Sequence, residues 1–338
     1  MSELFYNQKL NVIADQTHFK DAFEINKILG KGINLGNALE APTEGDWGMI
    51  IQEEYLDLIA NAGFKSVRIP IQWNAHAQLN PPYTINTTFF ERVDEVIRWS
   101  LERNLAVIIN IQHYNDLMTS PEDHLERFLY IWKQISSHYM NYPETVVFEI
   151  LNEPHGKITS DLWNDKLLQA IRIIRLSNPK RVIAVGTTPW GGFDGIQTLK
   201  IPESDRQLVV TVHYYNPFQF THQGADWEGP ESYGWLGTTW TGTQSEKKEI
   251  DQDFDRVFQW ADENSRPIHV GEFGTSNSAD PLSRKNWTRY IVESAELRGF
   301  SWAYWEFGAT FGIYERDQNE WNSSLLEALI PESTELIQ

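Results

Sequence analysis

Short apolar segments alternate with amphipathic helical patterns along nearly the whole chain of 338 residues. Eight of these segments are apolar on both faces, and they lie at 32–37, 64–70, 106–111, 146–151, 182–186, 208–212, 268–270 and 300–305. Strands that are apolar on both faces are typical of a parallel sheet covered by helices. We therefore predict an α/β protein that folds as one (β/α)8 TIM barrel over residues 1–338. An open doubly wound sheet is the alternative, but no glycine-rich phosphate loop follows any segment, which disfavours its nucleotide-binding forms.

Two regions fall outside this alternation. Residues 1–28 are predicted to form a leading helical segment, and residues 214–242 a long aromatic loop over the cleft. No proline-, serine- or glycine-rich linker divides the chain, which favours a single domain. Residues 1–20 contain no apolar core of signal-peptide length, so we expect either a cytoplasmic protein or one whose export segment was removed.

Charge and composition exclude several classes of partner. With 47 acidic and 28 basic residues the net charge is −19, which repels phosphate backbones and anionic membranes, and no apolar stretch is long enough to span a bilayer. We therefore expect neither nucleic acid nor a membrane as a partner. The chain has no cysteine, which excludes disulfides, thiolate metal sites and a cysteine nucleophile. Its aromatic content of 13% suits a ligand with flat apolar faces, such as a sugar, or a core with surplus aromatics.

Polar and aromatic side chains occur where the predicted strands end. They are Asn37, Arg68, Gln112, His113, Asn152, Glu153, Trp190, His213, Tyr215, Glu272, Trp305 and Glu306. The carboxyl ends of all strands of such a barrel face one cavity, and active sites of this fold lie there. Stabilisation of the fold does not require so many polar residues at this end, so the pattern predicts an active site.

Glu153 and Glu272 follow or end the fourth and seventh predicted strands and should face each other across the barrel mouth. Two opposed carboxylic acids are what glycoside hydrolysis requires, one to protonate the leaving oxygen and one to act at the anomeric carbon. Either glutamate alone could instead be a structural salt-bridge partner of Arg68.

A metal site formed by His113, His213 and both glutamates is a further alternative. However, the chain has no His-x-His or His-Glu-x-x-His pair, and Arg68 would lie close to the cation. We therefore predict a carboxylate pair with no metal and no cofactor.

Six stretches of the sequence match a known family when they are taken in order. They are Gly-Ile-Asn-Leu-Gly-Asn at 32–37, Val-Arg-Ile-Pro at 67–70, Leu-Asn-Glu-Pro-His at 151–155, His-Tyr-Tyr at 213–215, Gly-Glu-Phe-Gly at 271–274 and Trp-Ala-Tyr-Trp-Glu-Phe at 302–307. Each is weak alone, but together they show that the chain resembles glycoside hydrolase family 5, the clan A cellulase group, over nearly its whole length. Residues 37–42 and 215–225 resemble the bacterial endoglucanase branch, which includes enzymes that also act on mannans.

This resemblance implies the roles of the residues that match the family motifs. Glu153 would be the acid/base and Glu272 the nucleophile. Arg68 and Tyr215 would lie beside Glu272 and hold it ionised and oriented. His213 would lie near the acid/base.

The resemblance also implies how the sugar is held. Asn152 would bond the 2-hydroxyl of the sugar being cleaved, and His113 and Trp305 would line the same subsite. Gln112 is a departure, because many relatives have histidine there, which leaves the details of sugar recognition open. Further substrate-binding residues are expected at the cleft, with three tryptophans from the long loop: Asn37, Trp190, Trp227, Trp235, Trp240 and Glu306.

These observations lead to one expected function and two alternatives. We expect a monomeric, retaining endo-β-1,4-glucanase whose partner is a polysaccharide, namely a cellulose-type or mixed-linkage β-glucan. The first alternative is an endo-β-1,4-mannanase or xyloglucanase of the same family. The second is an inactive carbohydrate-binding barrel, but such a protein has no reason to keep both Glu153 and Glu272.

Overall fold

The computed structural model describes residues 19–331, in which eight parallel strands close into a barrel in sequence order. The strands are β1 (Lys31–Asn34), β2 (Ser66–Ile69), β3 (Ala106–Asn110), β4 (Val146–Glu149), β5 (Ile183–Gly186), β6 (Leu208–His213), β7 (Ile268–Phe273) and β8 (Ser301–Tyr304). The ring is closed between the first and last strands, where Ile33 pairs with Tyr304. The predicted (β/α)8 barrel is thereby confirmed.

Helices surround the barrel, and most of them cover its outer face. They are α1 (Ala22–Leu29), α2 (Glu53–Asn61), α3 (Thr87–Glu102), α4 (Asn115–Thr119), α5 (Pro121–His138), α6 (Ser160–Ser177), α7 (Phe218–Thr221), α8 (Gln244–Asn264), α9 (Pro281–Leu297) and α10 (Ser323–Leu329). From α2 onward, the apolar faces of these helices form one core with the outward-facing strand residues. In this core the fully buried Phe128 and Trp132 of α5 lie in the same cluster as Val107 and Phe148. This packing is the usual consequence of amphipathic helices on a parallel sheet.

A second apolar cluster fills the barrel interior from the amino end. Ala22, Ile25 and Leu29 of α1 pack against small and branched strand residues such as Ile108 and Val147. Since this helix packs into the amino end, polar side chains inside the described barrel are best placed to reach solvent at the carboxyl end. The carboxyl end is therefore the expected place for a polar site.

The structure differs from the predicted strand ends. The first and fourth strands end at Asn34 and Glu149, before the predicted 37 and 151, and the chain adopts positive φ a few residues later, at Asn37 and Glu153. The seventh strand instead continues to Phe273, because the backbone still pairs with β6 beyond the point where the apolar pattern stops.

Several short elements were not expected from the sequence. The 214–242 segment is not an irregular loop throughout, since it contains α7 and the 3₁₀ turns Asp226–Glu228 and Pro230–Trp235. A small hairpin (Tyr314–Glu315 with Glu320–Trp321) precedes α10. Of the predicted leading helical segment, α1 is observed, and residues 1–18 lie outside the described part of the chain. Between residues 19 and 331, no helix combines the length and apolar character needed to cross a membrane.

Candidate active site

A cavity of about 1470 Å³ opens at the carboxyl ends of the strands. The predicted site residues that line it are Asn37, Gln112, His113, Asn152, Glu153, Trp190, His213, Tyr215, Trp227, Glu272 and Trp305. Arg68 lies buried in the barrel and contacts Glu272. Trp235, Trp240 and Glu306 are not part of the cavity wall. The fold thus brings together side chains that lie far apart in the sequence.

Glu153 and Glu272 face each other across the barrel mouth, with His213 between them. An oxygen of one glutamate lies within 4.8 Å of an oxygen of the other. Nδ1 of His213 is 2.8 Å from Oε1 of Glu153 and 3.6 Å from Oε2 of Glu272. This spacing fits the carboxyl separation of about 5–5.5 Å in retaining glycosidases better than the roughly 6.5–9.5 Å of inverting ones.

Glu272 accepts hydrogen bonds on both carboxylate oxygens. Nη1 of Arg68 donates to Oε1 at 2.7 Å, and the hydroxyl of Tyr215 donates to Oε2 at 2.9 Å. Burial acts to raise the pKa of Glu272, but the charges of His213 and Arg68 and these two hydrogen bonds lower it to below its ordinary value. Burial likewise opposes charge on His213, yet Glu272 and Glu153 raise the pKa of His213 above its ordinary value. Glu272 is therefore ionised in a site that is poised for proton transfer.

Arg68 is fully buried and forms ion pairs with two carboxylates, Glu272 and Glu149. Burial acts to lower the pKa of Arg68, but the two carboxylates raise it by more. Of the two structural salt bridges considered for Arg68, the one with Glu272 is observed and the one with Glu153 is not, since the guanidinium contacts Glu149 and Glu272. Glu149 was not predicted as a site residue. It is a charged residue within an apolar strand, and this mismatch is the signal that could have identified it, because such a residue is rarely buried unless paired.

Two carboxamides at the cavity wall are oriented by donors behind them. Oδ1 of Asn152 accepts from Nη2 of Arg68 at 2.8 Å, and Oε1 of Gln112 accepts from Nδ2 of Asn110 at 2.5 Å. Asn110 is itself fixed, because its Oδ1 accepts from the backbone N–H of Ile71 at 3.1 Å. The amide oxygens are therefore occupied, which leaves the NH₂ groups of Asn152 and Gln112 as donors toward the cavity.

Aromatic rings form another part of the wall. Trp305 follows β8 and lies so close to Gly36 that a Cβ there would be 2.9 Å from its ring. His113 has a φ of 51°, and the centroid of its ring lies 5.5 Å from that of Trp47 in an edge-on arrangement. Burial lowers the pKa of His113, so its ring is neutral near pH 7. These positions agree with a place in a sugar subsite, which stays a prediction.

Asn37 contacts two further buried carboxyl groups. Its Nδ2 donates to Oε2 of Glu306 at 2.6 Å, and the backbone N–H groups of Asn37 and Ala38 donate to Glu40. Burial is the largest cause that raises the pKa of Glu306 to about 7 and that of Glu40 to about 8. Glu40 lines the cavity but was not predicted, because nothing in the sequence separates it from the many other glutamates.

Trp190 and Trp227 are exposed within the cavity, with 57% and 55% of their surface accessible. The ring of Trp190 stacks on that of His155, with 3.5 Å between the ring centroids and 9° between the planes. Trp227 lies 5.7 Å from Phe311, measured between ring centroids. Both tryptophans therefore present a ring face or edge to a ligand in the cavity.

The other two tryptophans of the long loop do not reach the cavity. Trp235 is half-buried, and its ring lies edge-on to Phe218 at a centroid distance of 5.9 Å. Trp240 is only 2% exposed and packs against Tyr290. The expectation that Trp240 binds substrate is wrong, because its ring belongs to the core between the loop and α9.

Glu153, His213 and Glu272 are also close enough to share a metal ion, as judged over residues 19–331. The surroundings fit a cation poorly, however. Both oxygens of Glu272 already accept hydrogen bonds, and the guanidinium of Arg68 lies 2.7 Å from one of them. The donor set therefore suits proton transfer and nucleophilic attack better than metal coordination.

Comparison with known proteins places this site in a family context. The family model for cellulase (glycosyl hydrolase family 5) matches residues 29–310. The solved endoglucanase Cel5A of Thermotoga maritima is 52% identical, with a TM-score of 0.90 over 92% of this chain and 100% of that chain. Its structures include complexes with cellobiose and with mannotriose.

Relatives of other lengths are also similar. Endoglucanase H of Acetivibrio thermocellus is 38% identical over 321 residues, which are 93% of this chain. The chain spans about a third of that relative, 34% of its length. Endoglucanase A of Ruminococcus albus is 28% identical over 349 residues, and 91% of this chain and 92% of that one are covered. The closed barrel, with Glu153 after β4 and Glu272 near the end of β7, agrees with the family match, and the chain belongs to the cellulase family, glycosyl hydrolase family 5.

Proposed function

We propose that the chain is a retaining endo-β-1,4-glucanase in which Glu153 is the acid/base and Glu272 the nucleophile. The observation that carries the proposal is the pair of carboxyl groups whose oxygens lie within 4.8 Å of each other. The two residues are also unequal, since only Glu272 is held by Arg68 and Tyr215. The similarity to proteins named endoglucanase supports β-1,4-glucan as the substrate class.

The reaction proceeds in two displacements. In the first, Glu272 attacks the anomeric carbon while the bond to the leaving oxygen breaks and Glu153 gives its proton to that oxygen. In the second, Glu153 takes a proton from water, the water oxygen attacks the anomeric carbon, and Glu272 leaves as a carboxylate. The contact from Nδ1 of His213 holds the Glu153 carboxyl group in place while its proton leaves and returns.

The surface around the pair supports cleavage within a polysaccharide chain. Trp190 and Trp227 are exposed on the cavity wall and offer apolar ring surfaces to successive sugars, each contact worth about 1 kcal/mol. The NH₂ group of Asn152 is a donor suited to an equatorial 2-hydroxyl. All these side chains come from one barrel, so we further propose that a single chain is sufficient for activity.

Rescue of inactive variants by azide tests the two roles. Glu153→Ala and Glu272→Ala should each lose most turnover of an activated aryl β-cellobioside. Azide should restore the Glu153 variant and give the β-glycosyl azide, because the covalent intermediate still forms. The Glu272 variant should instead give the α-azide, because azide then occupies the place of the nucleophile. The opposite pairing of products would reverse the assignment.

The wild-type protein provides the matched tests of the alternatives. Proton NMR of the first product of wild-type turnover should show the β-anomer, whereas an initial α-anomer would exclude retention. A chelator should leave the rate unchanged, and a loss restored by a divalent cation would support the metal site instead. A folded wild-type protein that binds but does not cleave β-glucans would support the carbohydrate-binding alternative.

Activity on mannans is a second candidate, favoured by the mannotriose complex of the 52% identical relative. Gln112 supports it further, because an amide donor there could accommodate an axial hydroxyl. We expect kcat/KM to be highest for β-1,4- or mixed-linkage glucan, lower for glucomannan and lowest for pure mannan.

Internal cleavage has its own test: the viscosity of a soluble cellulose derivative should fall faster than reducing ends appear. A mannan preferred over every glucan would overturn the order, and release of glucose alone would overturn internal cleavage.

A further inference from the structure

Arg68 uses all five of its N–H donors inside the barrel. Nε and Nη2 donate to the two oxygens of Glu149 at 2.6 and 2.7 Å, and Nη2 also donates to Asn152 at 2.8 Å. Nη1 donates to Asn34 at 2.9 Å and to Glu272 at 2.7 Å. Glu149 thus supplies two of the five acceptors while being only 1% exposed itself.

We infer that Glu149 is a positioning residue for the reaction and acts through Arg68 on both Glu272 and Asn152. A carboxylate that accepts from Nε and Nη2 at once fixes the plane of the guanidinium. In that plane Nη1 points at the nucleophile and Nη2 at the amide oxygen of Asn152, whose NH₂ group is then left for the sugar. The inference rests on the proposed roles of Glu272 and Asn152.

Glu149 also sets the charge around the nucleophile during the catalytic cycle. In the resting site Arg68 lies between two carboxylates, so its positive charge is shared between them. When Glu272 becomes a glycosyl ester it loses its negative charge, and Arg68 with Glu149 remains a neutral pair. Without that carboxylate, the ester would leave an unpaired guanidinium in the barrel, which is unfavourable. Glu149 therefore favours formation of the covalent intermediate.

Glu149→Gln in the full chain tests this, because it keeps the shape and removes the charge. Arg68 would then serve Glu272 alone, so the pKa of Glu272 should fall further and its nucleophilicity with it. The acid limb of kcat/KM on an aryl β-cellobioside should move to lower pH by about one unit. Formation of the intermediate should slow by roughly tenfold or more, while its hydrolysis should not slow, because Glu272 becomes a better leaving group. A 2-fluoro glycoside should accordingly trap less covalent intermediate.

Two further variants separate positioning from simple destabilisation. Glu149→Asp keeps the charge but cannot reach both nitrogens equally, so it should retain the wild-type acid limb with a lower kcat/KM. Asp205→Asn breaks a second two-pronged arginine pair, in which Nε and Nη2 of Arg175 contact Asp205 at 2.7 and 3.0 Å. Arg175 lies near the end of α6 and Asp205 just before β6, at the amino end of the barrel. Loss of this ion pair should therefore lower Tm without moving the pH profile.

The outcomes differ for the inference and for the proposed function. Glu149→Gln could instead lose activity while the acid limb of kcat/KM stays in place and the rates of formation and hydrolysis of the covalent intermediate keep their ratio. Glu149 would then be only structural, and the inference would be overturned. If that variant does not fold, a Glu149→Asp protein that equals the wild type in both rate and profile overturns it as well. Failure of the proposed function would appear earlier, as a folded wild-type protein that forms no covalent intermediate.

Discussion

Four of the predicted site residues have a backbone conformation that side-chain-bearing residues rarely adopt. Asn37, His113, Glu153 and Trp190 have φ values of 63°, 51°, 44° and 58°. Such conformations cost roughly 1–3 kcal/mol each and persist only where neighbours hold them. The backbone N–H of Trp190, for example, donates to the carbonyl of Pro154 at 3.0 Å. Residue types alone do not predict these angles, because the hydrophobic pattern reports burial and not φ.

A Tyr215→Phe substitution isolates one of the two hydrogen bonds that hold Glu272. The variant loses the donor 2.9 Å from Oε2, which favours the ionised form, so the pKa of Glu272 should rise. Since Glu272 must be ionised to attack, the acid limb of kcat/KM should move to higher pH, opposite to Glu149→Gln. A hydrogen bond to a charged group is worth about 1.5–3 kcal/mol, so kcat/KM should fall about 10- to 100-fold.

Tyr290→Phe is the matched control for this variant. The hydroxyl of Tyr290 on α9 donates to Asp251 on α8 at 2.8 Å, and neither residue lines the cavity, so loss of this bond should leave the acid limb in place. An acid limb that stays fixed in Tyr215→Phe as well would contradict the role given to Tyr215.

At the level of elements, the fold of the 214–242 segment after β6 determines which of its aromatic rings lie in the cleft. The buried side chain of Gln223 holds this segment together, since its Nε2 donates to the carbonyls of Phe220 and Thr238, both at 2.8 Å. Its Oε1 accepts from the backbone N–H of Gly237 at 2.9 Å. These bonds fold the segment back on itself, so Trp227 lies in the cleft and Trp240 in the core. A glutamine in a loop is expected to be exposed, so the burial of Gln223 could not be predicted from the sequence.

Replacing Trp190 and Trp240 by alanine should have contrasting effects. Trp190→Ala removes an exposed ring, so KM for a polysaccharide should rise several-fold, as expected for about 1 kcal/mol, with little change in Tm. Trp240→Ala removes a buried ring, so the free energy of unfolding should fall by about 3–5 kcal/mol while KM at permissive temperature stays near the wild-type value. Each variant is the control for the other. Equal effects on KM would show that the assignment of the two rings is wrong.

For the whole molecule, the sequence predicted the barrel and the two glutamates because both depend on local signals. The alternation of apolar segments with amphipathic helical patterns predicts the strands. The polar residues where those strands end are then predicted to lie at the barrel mouth. Glu149 and Trp240 were missed or misplaced because their roles depend on packing between distant segments, whereas Glu40 was missed because nothing in the sequence separates it from the other glutamates. Glu149 is a site residue only because Arg68, 81 positions away, lies beside it in the barrel. No property of either residue alone carries that information.

Closure of the ring between β1 and β8 has a consequence for how the protein is made. Lys31 pairs with Trp302, so the first strand leaves the ribosome 271 residues (302 − 31) before its partner. At typical rates of synthesis this takes roughly tens of seconds, during which the growing sheet has an unpaired edge that other chains can join. Trp305 of the cleft follows that last strand directly. The sheet of the growing chain therefore keeps an unpaired edge until β8 has been made, and Trp305 can take its place in the cleft only after that strand has closed the ring.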